Sequence, residues 1–171
     1  MDDKYIRRCQ KRLKEWGAPL SDWYCLYVVD ITENEEDYAT CELCDCSKVR
    51  FIHVMSHDKY FENIDVGCIC AGIMEGDILV AEERERKFRN RANRKKNFIK
   101  KEWTPNQGGG YRMKYKGEWI FIYPSRYDSG TFGVVVKKET VWRYKKKAIR
   151  DLLSAAHLAF DLIDPPEKII E

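Results

Sequence analysis

Cysteines are the residues in this chain whose type and spacing can do chemistry. Cys41-Glu42-Leu43-Cys44-Asp45-Cys46 is answered downstream by Cys68-Ile69-Cys70, so five of the seven cysteines fall in two tight groups. Zinc takes thiolates in a tetrahedron, and C-x2-C is a common first half of such a site; C-x-C is a less usual second half. Cys41, Cys44, Cys68 and Cys70 are therefore the expected ligands of one zinc, with Cys46 or His53 as a substitute ligand. Two other readings use the same residues. In C-x2-C-x8-H-x3-H, ending in His53 and His57, the middle arm is shorter than the roughly 12 residues of a two-Cys two-His finger. Disulfides need an oxidising compartment, whereas Met1-Asp2-Asp3-Lys4 opens a charged helix and not a signal peptide. A reducing, cytoplasmic setting is expected.

Composition bounds the rest. The 171 residues allow one domain or two small ones, and 44% hydrophobic with 13% aromatic residues suffices for a core. A net charge of +3 conceals a segregation: acids crowd into Glu33-Asn34-Glu35-Glu36-Asp37 and bases into the middle of the chain. No apolar run approaches membrane-spanning length.

The elements that must position the cysteines follow from periodicity. Ile6, Cys9, Leu13 and Trp16 recur at helical spacing behind Asp2 or Asp3 as cap, and Gly17 and Pro19 stop that helix. Its other face, with Lys4, Arg7, Arg8, Lys11 and Lys14, reads as a solvated surface, with phosphate contact as the alternative. Trp23 to Ile31 is uniformly apolar and β-branched or aromatic, which predicts a central strand, with Cys9 and Cys25 as core residues. Lys48–Ser56 alternates as a strand leaving the cysteine knuckle, Ile64–Val66 is a short strand, and Cys70 to Met74 begins a helix. Leu79–Trp103 carries Arg84, Arg91, Arg94, Lys95 and Lys96 among ten cations, almost without acid after Glu85. Phe88, Ala92, Ile99 and Trp103 share one stripe, so a single long helix should dock by that stripe and offer its cations to a polyanion.

Thr104-Pro105-Asn106-Gln107-Gly108-Gly109-Gly110 reads as a flexible linker. Beyond it, Tyr111–Lys116, Glu118–Tyr123 and Thr131–Lys137 predict three antiparallel strands, and Lys146–Ile163 a helix ended by Pro165-Pro166. The fold class is α+β: a zinc domain with an N-terminal helix over residues 1–78, a basic connecting helix over 79–103, and a three-stranded sheet with one packed helix over 104–171.

Knuckle, hairpin and then ligands at a helix N-terminus resemble a treble-clef zinc fold. Tyr111-Arg112, Gly117-Glu118-Trp119, Thr131-Phe132-Gly133 and Ala155-Ala156-His157-Leu158-Ala159-Phe160-Asp161 resemble the Apetala/ethylene-response type of DNA-binding domain and the N-terminal arm-binding domains of phage-type integrases. That resemblance implies that the helix packs behind the sheet and that Arg112, Lys114 and Lys116, with Arg126 nearby, meet DNA. Ile120 and Ile122 are expected on the same free face, which would call for cover from elsewhere in the protein. The whole order of elements is similar to a group of uncharacterised bacterial and phage proteins, implying a phage or mobile-element origin.

Catalytic groups are few. His57-Asp58 beside the knuckle resembles the ββα-metal nucleases, but Ala71 and Gly72 stand where their second histidine or asparagine belongs. The expectation is therefore a zinc-stabilised, non-catalytic nucleic-acid-binding protein, with DNA favoured over RNA. The alternatives are an inhibitor module acting on a host nucleic-acid-binding protein, and such a nuclease.

Overall fold

The computed structural model describes residues 2–34 and 36–169; Glu35 of the acidic run and residues 1, 170 and 171 lie outside them. The chain is mixed α and β and divides into two compact units: residues 1–89 with 167–171, and residues 90–166.

In the first unit α1 (Asp3–Glu15) starts where the Asp2 side chain accepts from the Lys4 amide at 3.0 Å. It stops at Gly17, whose φ of 68° suits glycine. Cys9 and Leu13 are its buried side chains. β1 (Tyr24–Asp30), β2 (Phe51–Ser56) and β3 (Ile64–Val66) form an antiparallel sheet in that order. The stretch expected at the sheet centre is thus its edge: Tyr24 and Tyr27 are exposed, and the register shifts between Cys25 and Tyr27. β2 is central because both its faces are covered. Ile52 and Val54 pack with Ile31, while Met55 joins Ile64 and Val66 in the main core with Cys9, Leu13, Trp23 and Met74. After β3 come α2 (Cys68–Glu75), ended by Gly76 at φ 83°, and α3 (Ile78–Ile99). Gly72 lets the two approach, since a Cβ there would stand 2.5 Å from the Ile78 Cα.

The second unit takes α3 from Asn90 onward. The helix anchors there through Phe98, fully buried with its ring 4.9 Å from Tyr115 and 5.5 Å from Phe160. The stripe expected from sequence is only half-buried at Phe88, Ala92 and Ile99. Next, β4 (Thr104–Asn106), β5 (Gly110–Tyr115), β6 (Glu118–Pro124), β7 (Phe132–Val136) and β8 (Glu139–Val141) form one antiparallel sheet in chain order. The expected linker is therefore the β4–β5 hairpin, with Pro105 tolerated because β4 is an edge strand. A short hairpin, β9 (Arg143–Tyr144) with β10 (Lys147–Ala148), precedes α4 (Leu152–Ile163). Asp151 caps α4 by accepting from the Ser154 amide at 2.7 Å. Ala155, Ala156, Leu158, Ala159 and Phe160 share one core with Met113, Ile120, Ile122, Val134 and Val136 of the sheet.

Five strands replace the three expected because β4 lies within the expected linker and the two-residue turn into β8 is hidden by its residue types. Lys137-Lys138 and Lys145-Lys146 all have positive φ, as does Lys116-Gly117, in the manner of type I′ hairpins that ordinarily use Asn-Gly. A left-handed non-glycine residue costs about 1–2 kcal/mol. Replacing Lys137-Lys138 by Asn-Gly should therefore raise stability by about 1 kcal/mol in urea unfolding; a loss of stability would refute the strained-turn account.

Candidate functional site

Three cysteines meet in the first unit. Cys41 and Cys44 lie on a knuckle held by Cys41 N–H donating to the Cys46 carbonyl at 2.8 Å and Asp45 N–H donating to the Cys41 carbonyl at 2.9 Å. Asp45 takes a left-handed φ of 61° to close it. The Glu42 amide donates to the Asp65 carbonyl at 2.9 Å, which ties the knuckle to β3. Cys70 comes from the first turn of α2. The sulfurs of Cys41, Cys44 and Cys70 lie within 4.8 Å of one another, so together they could hold a metal ion.

α1 closes this group from the other side. Its Cys9 is fully buried with Sγ 4.0 Å from Cys70 Sγ, and the Tyr5 hydroxyl is 3.0 Å from the same sulfur. Arg12 of α1 pairs with Asp45 of the knuckle. The hydrogen bond from Cys70, then the amides of Gly67 and Cys44, pull Cys41 down to about 5 against its burial. Cys70 is pushed up by Cys41 and Cys9 and by burial. Cys9 is lowered by its hydrogen bond with Cys70. Tyr5 is raised by burial and by its bonds to Cys44 and Cys70.

Cys68, expected in this group, is found in another with His53 and Glu85. Cys46 is exposed, and Cys25 is a core thiol pushed up to about 11 by burial. Cys9, expected as a core residue, is one: it is fully buried on the apolar stripe of α1, where a thiol packs like a small hydrophobe. His57 is held structurally: its Nδ1 accepts from the Lys59 amide at 2.9 Å and its ring meets Trp23 edge-on at 5.3 Å.

The basic run on α3 is compensated to a degree its local sequence concealed. Within the first unit Arg84 pairs with Glu75, and Arg89 with Glu85 at 2.6 Å. Within the second, Arg91 reaches Asp161 at 2.7 Å and the Asp164 carbonyl at 2.8 Å. Arg94 takes Asp164 at 2.6 Å, and the nearly buried Lys95 takes Asp161 at 3.0 Å. Lys96 is exposed. The acids of the second unit, Asp161 and Asp164, come from the end of α4 and its C-cap, about seventy residues away in sequence.

On the free face of the five-stranded sheet, the register reverses one expectation. Arg112 pairs with Phe121 and Lys114 with Trp119, whereas Ile120 and Ile122 pair with Met113 and Tyr111. Since side chains alternate, the two isoleucines point into the α4 core, where both are fully buried, and the cations share their face with aromatic rings. Trp119, Phe121 and Tyr123 form a ladder, with centroids 6.2 Å and 5.7 Å apart and interplanar angles of 20° and 12°. Arg112 and Lys114 lie 5.9 Å and 5.8 Å from the Trp119 ring centre. Trp142 rests on Gly133, where a Cβ would come within 2.7 Å of its ring. With Tyr123, Arg126 and the fully exposed Tyr127, it borders a cavity of about 470 Å³. Lys116 instead contacts Asp164 at 3.4 Å. The alternation W-I-F-I-Y was the signal that could have shown this ladder.

Comparison with family models, curated proteins and solved structures returned no match. None of the described helices is long and apolar enough to cross a membrane.

Two outcomes follow from this geometry. Cys41→Ser should lower both bound metal and solubility, because metal binding in such sites is coupled to folding, while Cys25→Ser should leave the metal in place; elemental analysis distinguishes them. Arg94 holds the Asp164 carboxyl below the usual carboxylate range. Its stabilising contribution is thus present above the unfolded carboxylate value near ~4 and lost as pH falls through the lower folded value. Asp164→Asn should therefore lower stability at neutral pH and flatten the acid limb of the unfolding profile.

Proposed function

We propose that this is a zinc-stabilised, non-catalytic protein that binds nucleic acid through the free sheet face of its second unit, preferring single-stranded or unstacked segments. The observation that carries the reading is the exposed ladder of Trp119, Phe121 and Tyr123 with Arg112 and Lys114 beside it. Unpaired bases stack on such rings for about 1–3 kcal/mol each, and neighbouring cations take the phosphates. A paired duplex hides its base faces, so the ladder favours a strand whose bases can splay out. The ion pairs that occupy Arg91, Arg94 and Lys95 make the basic helix a weaker candidate surface than its sequence suggested.

Zinc is the ion this reading assigns to the thiol cluster, because soft thiolates in a tetrahedron suit it. Cys41, Cys44 and Cys70 are the three ligands within reach of one another, and Cys9 lies beside them, 4.0 Å from Cys70. The Tyr5 hydroxyl is then placed to donate to a ligand thiolate. Cys9→Ser should leave the zinc in place, whereas Cys41→Ser should lower the zinc content by one equivalent.

The test of nucleic-acid binding is a titration with single-stranded DNA, RNA and duplex DNA over a salt series. Trp119→Ala should weaken single-strand binding by about 1–3 kcal/mol, roughly 5- to 150-fold. Arg112→Ala and Lys114→Ala should each flatten the salt slope by up to about 0.7. A folded Trp119→Ala variant with unchanged affinity for all three ligands would exclude the sheet face as the contact.

A further inference from the structure

Residues i and i+2 of an α-helix lie about 200° apart around its axis. The C-x-C at the start of α2 therefore aims its two thiols in different directions. Cys70 turns to Cys41 and Cys44, and Cys68 turns to His53 of β2 and Glu85 of α3. Its sulfur, an imidazole nitrogen and a carboxylate oxygen lie within 4.8 Å of one another.

Three further details separate this group from an ordinary buried ion pair. His53 is fully buried, and its Nδ1 has no hydrogen-bond partner among the described residues, so hydrogen bonding offsets only part of the imidazole's burial. His53 Nε2 and Glu85 Oε2 stand 3.3 Å apart, longer than the roughly 2.7–2.9 Å of a charge-assisted bond. Two tetrahedral ligands bound at about 2.0–2.2 Å would stand at that spacing. The other oxygen, Glu85 Oε1, accepts from Arg89 at 2.6 Å, the kind of outer contact that fixes a ligating carboxylate while leaving its second oxygen available.

We propose that His53, Cys68 and Glu85 hold a second divalent ion of the zinc type, with a fourth position open to water. A donor set of sulfur, nitrogen and one carboxylate suits zinc and excludes ions that demand oxygen ligands. The ion would join β2, α2 and the first turns of α3 within the first unit. The assignment stands independently of the thiol cluster and of nucleic-acid binding, since it shares no ligand with the first and lies in a different unit from the second.

Elemental analysis of full-length protein dialysed against a small excess of zinc and then freed of unbound ion tests it. Wild type should carry two zinc ions per chain, and Cys68→Ser and Glu85→Gln should each carry one. Cobalt substituted into the two variants should retain the intense thiolate charge-transfer bands of the sulfur-rich site. Cys68→Ser is nearly isosteric and Glu85 is partly exposed, so at least one variant should fold. A single zinc in wild type, lost in Cys41→Ser but unchanged in Cys68→Ser and Glu85→Gln, would overturn the second site and leave the first standing. Two zinc ions in all of wild type, Cys68→Ser and Glu85→Gln would also overturn it. A single zinc kept in Cys41→Ser and lost in Cys68→Ser would support it and sink the thiol-cluster assignment instead.

Discussion

Sulfurs that begin far apart in sequence have to occupy one small volume, and the first unit is arranged to bring them there. α1 delivers Cys9, the knuckle delivers Cys41 and Cys44, and the start of α2 delivers Cys70. Each of these segments is short and would be marginal alone. Buried thiols crowded together are poor company unless they share protons or an ion, and the opposite displacements of Cys41 and Cys70 express that crowding. The accessory contacts serve the same closure: Arg12 with Asp45, Tyr5 with Cys70, and the Glu42 amide with Asp65 all join α1 or β3 to the segments that carry sulfur. The packed neighbours Leu13, Trp23, Met55 and Met74 then exclude water from the cluster's inner side.

The second unit obeys a different constraint, the strict alternation of a strand. β6 reads Trp119-Ile120-Phe121-Ile122-Tyr123, and one side of it must be dry. α4 and Phe98 claim the isoleucine side, so the aromatic side is left outward beside Arg112 and Lys114. A single-residue slip in register would have buried the aromatic ladder and exposed the isoleucines. Gly133 matters for the same surface, since only a residue without Cβ lets Trp142 lie against β7. An extended face of rings and cations thus arises as a by-product of how the core is filled.

Charge behaves less simply than its distribution along the chain implies. The cations of α3 look unopposed because compensation is searched for at helical spacing, within a few residues. Asp161 and Asp164 answer Arg91, Arg94 and Lys95 from α4, which only tertiary structure brings near. Lys95 is nearly buried in that network, a position a solvated charge could not occupy without its partner. The part of α3 from Asn90 onward is held to the second unit by electrostatics as well as by Phe98.

Sequence by itself determined much of the framework. The helical stripe of α1, the knuckle, the β2 and β3 strands, the β5–β6 hairpin at Lys116-Gly117 and the α4 stripe are all written in local periodicity and turn residues, and the paired cysteines already pointed to a group, Cys41, Cys44 and Cys70, that could hold a metal ion. Other decisions belong to the tertiary structure. Cys70 joins Cys41 and Cys44 while Cys68 turns to His53 and Glu85, because a helix turns by about 100° per residue, so partnership depends on where the helix is docked and not on adjacency in the chain. β2 displaced β1 from the sheet centre because burial on both faces depends on what packs there. β4 and β8 stayed hidden because an edge strand tolerates proline and two lysines can be forced into a turn that sequence statistics reserve for glycine and asparagine. Which face of β6 meets solvent was settled by α4 and Phe98: a strand with large apolar side chains on both faces carries no mark of which one will be covered.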